Sequence, residues 1–146
     1  MSASSNYLER KLLDHALGEG ARTFTSPATI YVALFNNTSG LALANLEAGT
    51  LTDEVSTSGT AYGRQGVTFS TATTASNGTS SSTTSGDITW SAATASWGTV
   101  THLAIMDSGT AGAGNCLFYG QLSTSKAIDT SDIFKITAGN LTVQLA

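Results

Sequence analysis

The side chains able to carry chemistry are few and scattered. The chain of 146 residues holds two histidines, His15 and His102, and one cysteine, Cys116. Nucleophilic catalysis needs a nucleophile, a base and a group that orients the base. Serines lie throughout the chain, so a serine near either histidine would be a coincidence of composition, and both histidines read as structural or exposed. The close acid pairs are Asp53-Glu54 and Asp129-x-x-Asp132. Neither has the density of a calcium loop, and the second reads as a polar turn. Nothing marks any two acids as the carboxylate couple of a glycoside hydrolase. A lone cysteine excludes an internal disulfide and a multi-cysteine metal site. Gly109, Gly112 and Gly114 lack a phosphate-binding spacing and read as a turn. Trp90 and Trp97 read as core rather than as a binding platform. The sequence therefore points to no catalytic residue, no cofactor and no metal.

Composition agrees. Charged residues are 11%, against about a quarter in an ordinary domain. The net charge is −4 and the six basic residues are scattered, so no stripe could track phosphates and no nucleic-acid partner is expected. No apolar run reaches the length of a membrane span, and the first residues lack the pattern of a secretory signal. Synthesis in a reducing cytoplasm fits. Ser and Thr supply roughly three residues in ten, favouring strands and turns.

The elements follow from periodicity. The spacing predicts a helix over residues 6–17, with Asn6 as cap and Glu9 completing a capping box. Leu8, Leu12, Leu13, Ala16 and Leu17 form its apolar stripe, and Gly18 ends it. That stripe needs cover, from the chain's own sheet or from a partner. Residues 29–35 are apolar on both faces, as in a central strand covered on two sides. Residues 41–51 hold Leu41, Leu43, Leu46 and Leu51 in a short helix or a loop flap. Residues 63–71 form a strand, 70–86 a Ser/Thr-rich loop with little to bury, and 88–90 a short strand. Residues 97–108 contain the strongest strand, 116–122 another and 126–128 a short one. Residues 133–137 and 141–145 read as a final hairpin. The expected architecture is mainly β: one domain over 1–146, a two-sheet antiparallel β-sandwich of seven or eight strands with one short N-terminal helix. Its inner faces would hold Ile30, Val32, Leu34, Val67, Phe69, Leu103, Ile105, Phe118, Ile136, Leu141 and Val143.

Five segments carry a family likeness, in order from end to end. They are Tyr-Leu-Glu-Arg-Lys-Leu-Leu-Asp-His at 7–15, Pro-Ala-Thr-Ile-Tyr-Val-Ala-Leu-Phe at 27–35 and Ala-Tyr-Gly-Arg-Gln-Gly-Val-Thr-Phe at 61–69. Trp-Gly-Thr-Val-Thr-His-Leu at 97–103 and Ala-Gly-Asn-Leu-Thr-Val at 138–143 complete the set. The chain resembles a family of small tailed-phage virion proteins often labelled tail-fibre proteins. The resemblance implies a β-rich virion protein in many copies, without enzymatic residues, and leaves its position in the virion open. Residues 41–51 and 72–85 are long against the family pattern, so no contact there is carried over.

The leading expectation is a capsid decoration (cement) protein on the outer shell. The alternative is a tail, baseplate or short tail-fibre component involved in host attachment, with a wall-degrading hydrolase a distant third. The expected partners are further copies of the chain, most readily as a homotrimer, and the major capsid protein or tail proteins. Leu41, Leu43, Leu46 and Leu51 would lie between subunits, or else fold back over their own chain. Arg10 and Lys11 would dock the helix onto the virion if it is more than an end-plug.

Overall fold

The structure, a computed structural model, describes residues 3–18, 24–75 and 78–145. It is mainly β, with antiparallel sheets and two helices among these residues. The strands form three sheets of five, three and two strands, in place of the two expected.

The five-stranded sheet is the frame. Its order is β1 (Ala3–Ser4), β8 (Cys116–Ile128), β7 (Gly98–Met106), β2 (Ile30–Phe35) and β3 (Gln65–Val67). Alternation along β2 sends Val32 and Leu34 into one buried cluster and Ala33 and Phe35 into another. The strand is therefore covered on both faces, as its sequence required. On β7, Val100 shares a cluster with Leu103 and Ile105 despite the odd spacing. A register shift between Val100 and His102 resets the alternation. The expected strands at 116–122 and 126–128 are one strand, β8, carrying that irregularity.

All eleven expected core residues lie in the first cluster, fully or partly buried, together with Trp90 and Trp97. Trp97 donates its indole N–H to Thr60 O at 2.8 Å and meets the Tyr62 ring edge-on. Trp90 meets Phe134 in the same way. The second cluster, on the opposite face, is sealed by α2 (Ala42–Ala48) through Ala42 and Leu46. The short-helix alternative for residues 41–51 is thus the observed one. Asn37 Oδ1 accepts from the Ala42 N–H at 3.0 Å, and Gly49 closes the helix in the left-handed region at φ 81°.

Two expectations fail in the second half of the fold, around residues 70–86 and at the final hairpin. Residues 70–86 are not merely a loop: β4 (Thr73–Thr74) and β5 (Ser80–Thr83) belong to the three-stranded sheet. The final hairpin does not form either. Its second half, β10 (Thr142–Leu145), pairs with β5, while β9 (Lys135–Ile136) pairs with β6 (Ile88–Thr89). The turn at 138–140 exists but is tied elsewhere, because Gly139 N–H donates to Thr84 O and Ala138 N–H to Asp87 Oδ1, both at 2.9 Å. β5 is Ser-Ser-Ser-Thr, and its main-chain N–H and C=O groups pair on both sides even though its side chains bury little.

The first helix, α1 (Asn6–Leu17), has the expected bounds but a different cap. Ser5, not Asn6, accepts from the Leu8 N–H and itself donates to the Cys116 carbonyl. Glu9 turns to the Ser4 hydroxyl instead of closing a capping box. Only Leu8 of the apolar stripe is buried, while Leu12, Leu13 and Leu17 are exposed by 37, 59 and 73%. Among the described residues, the stripe expected to be covered is mostly uncovered.

Candidate functional site

The structure separates the residues expected at an interface. Leu41 and Leu43 are exposed, by 60 and 44%. Leu46 is fully buried against β2, β7 and β8, and Leu51 packs against the same cluster. Burial of Leu46 between subunits is therefore corrected: the helix turns it into its own sheet. Leu51 is likewise half-committed to its own chain. Arg10 is exposed and Lys11 partly exposed on α1. Arg10 borders a hollow shared with Tyr7, Ala48 and Gly49, so the two helices lie beside one another at this end of the sheet.

Behind that surface lies a network the sequence did not reveal. The Arg64 guanidinium grips Glu54 through two hydrogen bonds, 2.7 and 2.8 Å long, with both side chains almost wholly buried. Its remaining nitrogen donates to the carbonyls of Ser108 and Ala113 at 2.7 and 2.8 Å. Glu54 also accepts from the Gly112 N–H at 2.8 Å and from the Tyr62 hydroxyl at 3.2 Å. Tyr62 in turn accepts from the Leu34 N–H at 2.9 Å. Burial, then the Glu54 charge, pushes the Tyr62 phenol well above its usual range, so it stays a neutral donor. One ion pair thus ties β2, residues 54–64 and the 107–115 turn together. The sequence signal was an arginine between glycines in an almost neutral stretch, but its partner lies ten residues away and its carbonyls more than forty.

Asp53, beside Glu54, points the other way. Burial would raise its carboxyl, but donors from Ser39 and Thr38 outweigh that and hold it below the ordinary 3.8. Thr38 Oγ1 and the Ser39 N–H donate to it at 2.9 and 3.0 Å, fastening the turn that leads into α2. The expected acid pair is therefore two separate structural anchors. Asp129 and Asp132 form the expected polar turn, Asp132 accepting from the Asp129 N–H at 3.0 Å.

His102 is buried beside Thr101, its Nδ1 2.7 Å from the threonine hydroxyl, and burial lowers its pKa so that it is neutral at pH 7. Burial pushes the Cys116 thiol up to about 12, which leaves it unreactive in the core. His15 is exposed on α1. No group of three or more metal-binding side chains gathers among the described residues. No helix among them is long and apolar enough to cross a membrane. What the geometry offers is a five-stranded sheet with exposed leucines on or beside two short helices.

No curated protein matches the chain. The family described as podophage GP4 fiber I protein gp80 matches residues 3–144. That span takes in all five segments that carried the likeness and every strand of the five-stranded sheet. The chain therefore belongs to this fibre protein family and is a structural protein of a phage virion.

Proposed function

We propose that the protein is a fibre subunit on the tail of a short-tailed phage, acting by contact rather than by catalysis. The observation that carries this reading is the family match across nearly the whole chain. The exposed leucines of α1 and α2 support it, since apolar side chains clustered on helices mark surfaces that meet other chains. The proposed assembly is homo-oligomeric, with a trimer the first state to test. The capsid decoration reading rests on composition and compactness alone, and the fibre reading takes precedence over it.

Copy number per virion and antibody labelling of intact particles test the proposal together. A few to a few dozen copies, with label confined to the tail end, are expected. Hundreds of copies in a regular array on the head would overturn the fibre reading and restore decoration.

A further inference from the structure

The two faces of the five-stranded sheet are covered unequally. One is sealed by α2. On the other, two hollows of about 290 and 550 Å³ share Ile30, Phe69, Leu117, Phe118 and Leu145 in their walls, and so run together as one trough. The cover at the first hollow is β5, whose Ser80, Ser81 and Ser82 line it. Sheets pack about 10 Å apart, and serine side chains are too short to fill their share of that gap. Ile30, Phe69, Phe118 and Val143 therefore belong to the main core yet stay partly exposed, and Leu145 is 47% exposed.

No charged residue lines the trough among the described residues. Residues 1–2, 19–23, 76–77 and 146, which lie outside the description, include one large apolar side chain, Met1. It stands three residues before Ser4, the β1 residue opposite Phe118. The rest are small or polar and have little to fill apolar walls with. An occupant must be apolar and uncharged, because a charge moved between such walls loses its hydration without gaining a partner. Exposed large apolar side chains outside the trough divide by this criterion. Leu13 and Leu17 stand among Glu9, Arg10 and Asp14 on α1, and Ile133 follows Asp132. Leu41 and Leu43 lie in an uncharged stretch, residues 36–46, and Glu47, one turn beyond Leu43, is the first charge after it.

We propose that Leu41 and Leu43 of one copy enter the trough of the next, in a head-to-tail contact between unlike surfaces. The inference rests on the homo-oligomeric reading above and names its interface. The two leucines stand at the start of α2, across the five-stranded sheet from the trough, so a chain does not reach its own trough with them. Leu46 fixes α2 to its own sheet, while Leu41 and Leu43 face the neighbour. Contacts between unlike surfaces repeat from copy to copy and close into a ring where the rotation permits. A trimer would carry three of them.

Sedimentation of the full chain at micromolar concentration should show an oligomer. Leu41→Ser with Leu43→Ser should weaken association about tenfold or more. Ala72→Trp, on the wall of the first hollow, should fill it and weaken association as much. Mixing the two variants at higher concentration separates unlike from like surfaces. The first keeps its trough and the second keeps its leucines, so the mixture should form one-to-one pairs that neither variant forms by itself. Circular dichroism and melting confirm that each is folded. Should Ala72→Trp fail to fold, Leu41→Cys with Ala72→Cys, treated with a short bis-maleimide, gives the same readout as crosslinks between chains, since Cys116 is buried. A monomeric parent would overturn the homo-oligomeric reading and this interface with it. An oligomeric parent whose two variants associate equally well, or a mixture that stays monomeric, would overturn the interface and leave that reading standing. Crosslinks confined within one chain, or running in virions from Ala72→Cys to a different protein, would assign the trough to that occupant and overturn the proposal.

Discussion

Around Glu54 and Arg64 an ion pair is sealed inside the molecule, while along α1 three leucines stand in water. The two regions invert the usual placement of side chains, and for different reasons. The charged pair satisfies the carbonyls of Ser108 and Ala113 and the N–H of Gly112, main-chain groups of an irregular turn that no strand can pair. A guanidinium, with five donors in a fixed fork, suits that task better than any apolar residue. Leu12, Leu13 and Leu17 of α1 have no comparable task among the described residues. A chain with so few charges has placed two of them where they determine shape, and has left apolar side chains outside.

The sharpest way to break the comparison is at Arg64. Arg64→Ala leaves Glu54 buried without its partner and orphans two carbonyls, so unfolding by denaturant should show a loss of about 3–5 kcal/mol. The paired change Glu54→Leu with Arg64→Met removes both charges and separates two explanations. Full recovery would mean that the charges only neutralise each other. Partial recovery is expected, because the turn at 107–115 still loses the donors to its carbonyls and the acceptor for Gly112.

Leu46 and Leu43, three residues apart on α2, divide the second region. Leu46→Ala should destabilise by about 2–5 kcal/mol, since the side chain is wholly buried against Phe35, Ala104 and Met106. Leu43→Ala should cost far less in the isolated protein, where its side chain is 44% exposed. Similar losses for the two would mean that Leu43 is already covered in solution by another copy.

Gly114 sharpens the clamp side of the comparison. Its φ is +80°, and an added Cβ would lie 2.4 Å from Ser108 Cβ and 2.5 Å from Asp107 Oδ1. Gly114→Ala should cost about 1–3 kcal/mol, from the left-handed backbone and the crowding together. Gly112 has a similar φ of +73° but open space around it, so Gly112→Ala should cost less. Equal effects would show that backbone strain alone dominates this turn.

What could be read from the sequence depended on distance along the chain. The bounds of α1, the two-faced burial of β2 and the membership of the main core followed from local periodicity, a property of neighbouring residues. Pairing between strands did not. β10 and β9 looked like partners because they are adjacent, yet each pairs with the 80–89 stretch, and nothing in a run of Ser and Thr announces which strand it will meet. The Glu54–Arg64 clamp was hidden for a related reason. Its value lies in main-chain groups 44 and 49 residues away from Arg64, and unpaired carbonyls leave no mark on a sequence. At the surface, the leucines themselves were legible, but which of them face outward was not. That depends on how α1 is rotated, and the Ser5 junction with β8 fixes the rotation with Leu8 inward.

The smallest effect on the fold belongs to the outer face of α1, and it decides what the exposed leucines are for. Leu13 and Leu17 lie on the same side of the helix, one turn apart, and are the most exposed leucines of its stripe. Changing both to serine should alter the stability of the isolated protein by no more than about 0.5 kcal/mol, within the usual range for surface substitutions. If the face serves assembly, the same variant should enter virions poorly while its melting temperature stays where the parent's is. Normal incorporation at unchanged stability would remove α1 from the contact surface and leave Leu41 and Leu43 to carry it. A large loss of stability would mean that the stripe is covered in the free protein, so that the inversion is a property of the single chain and not of the assembly it lives in.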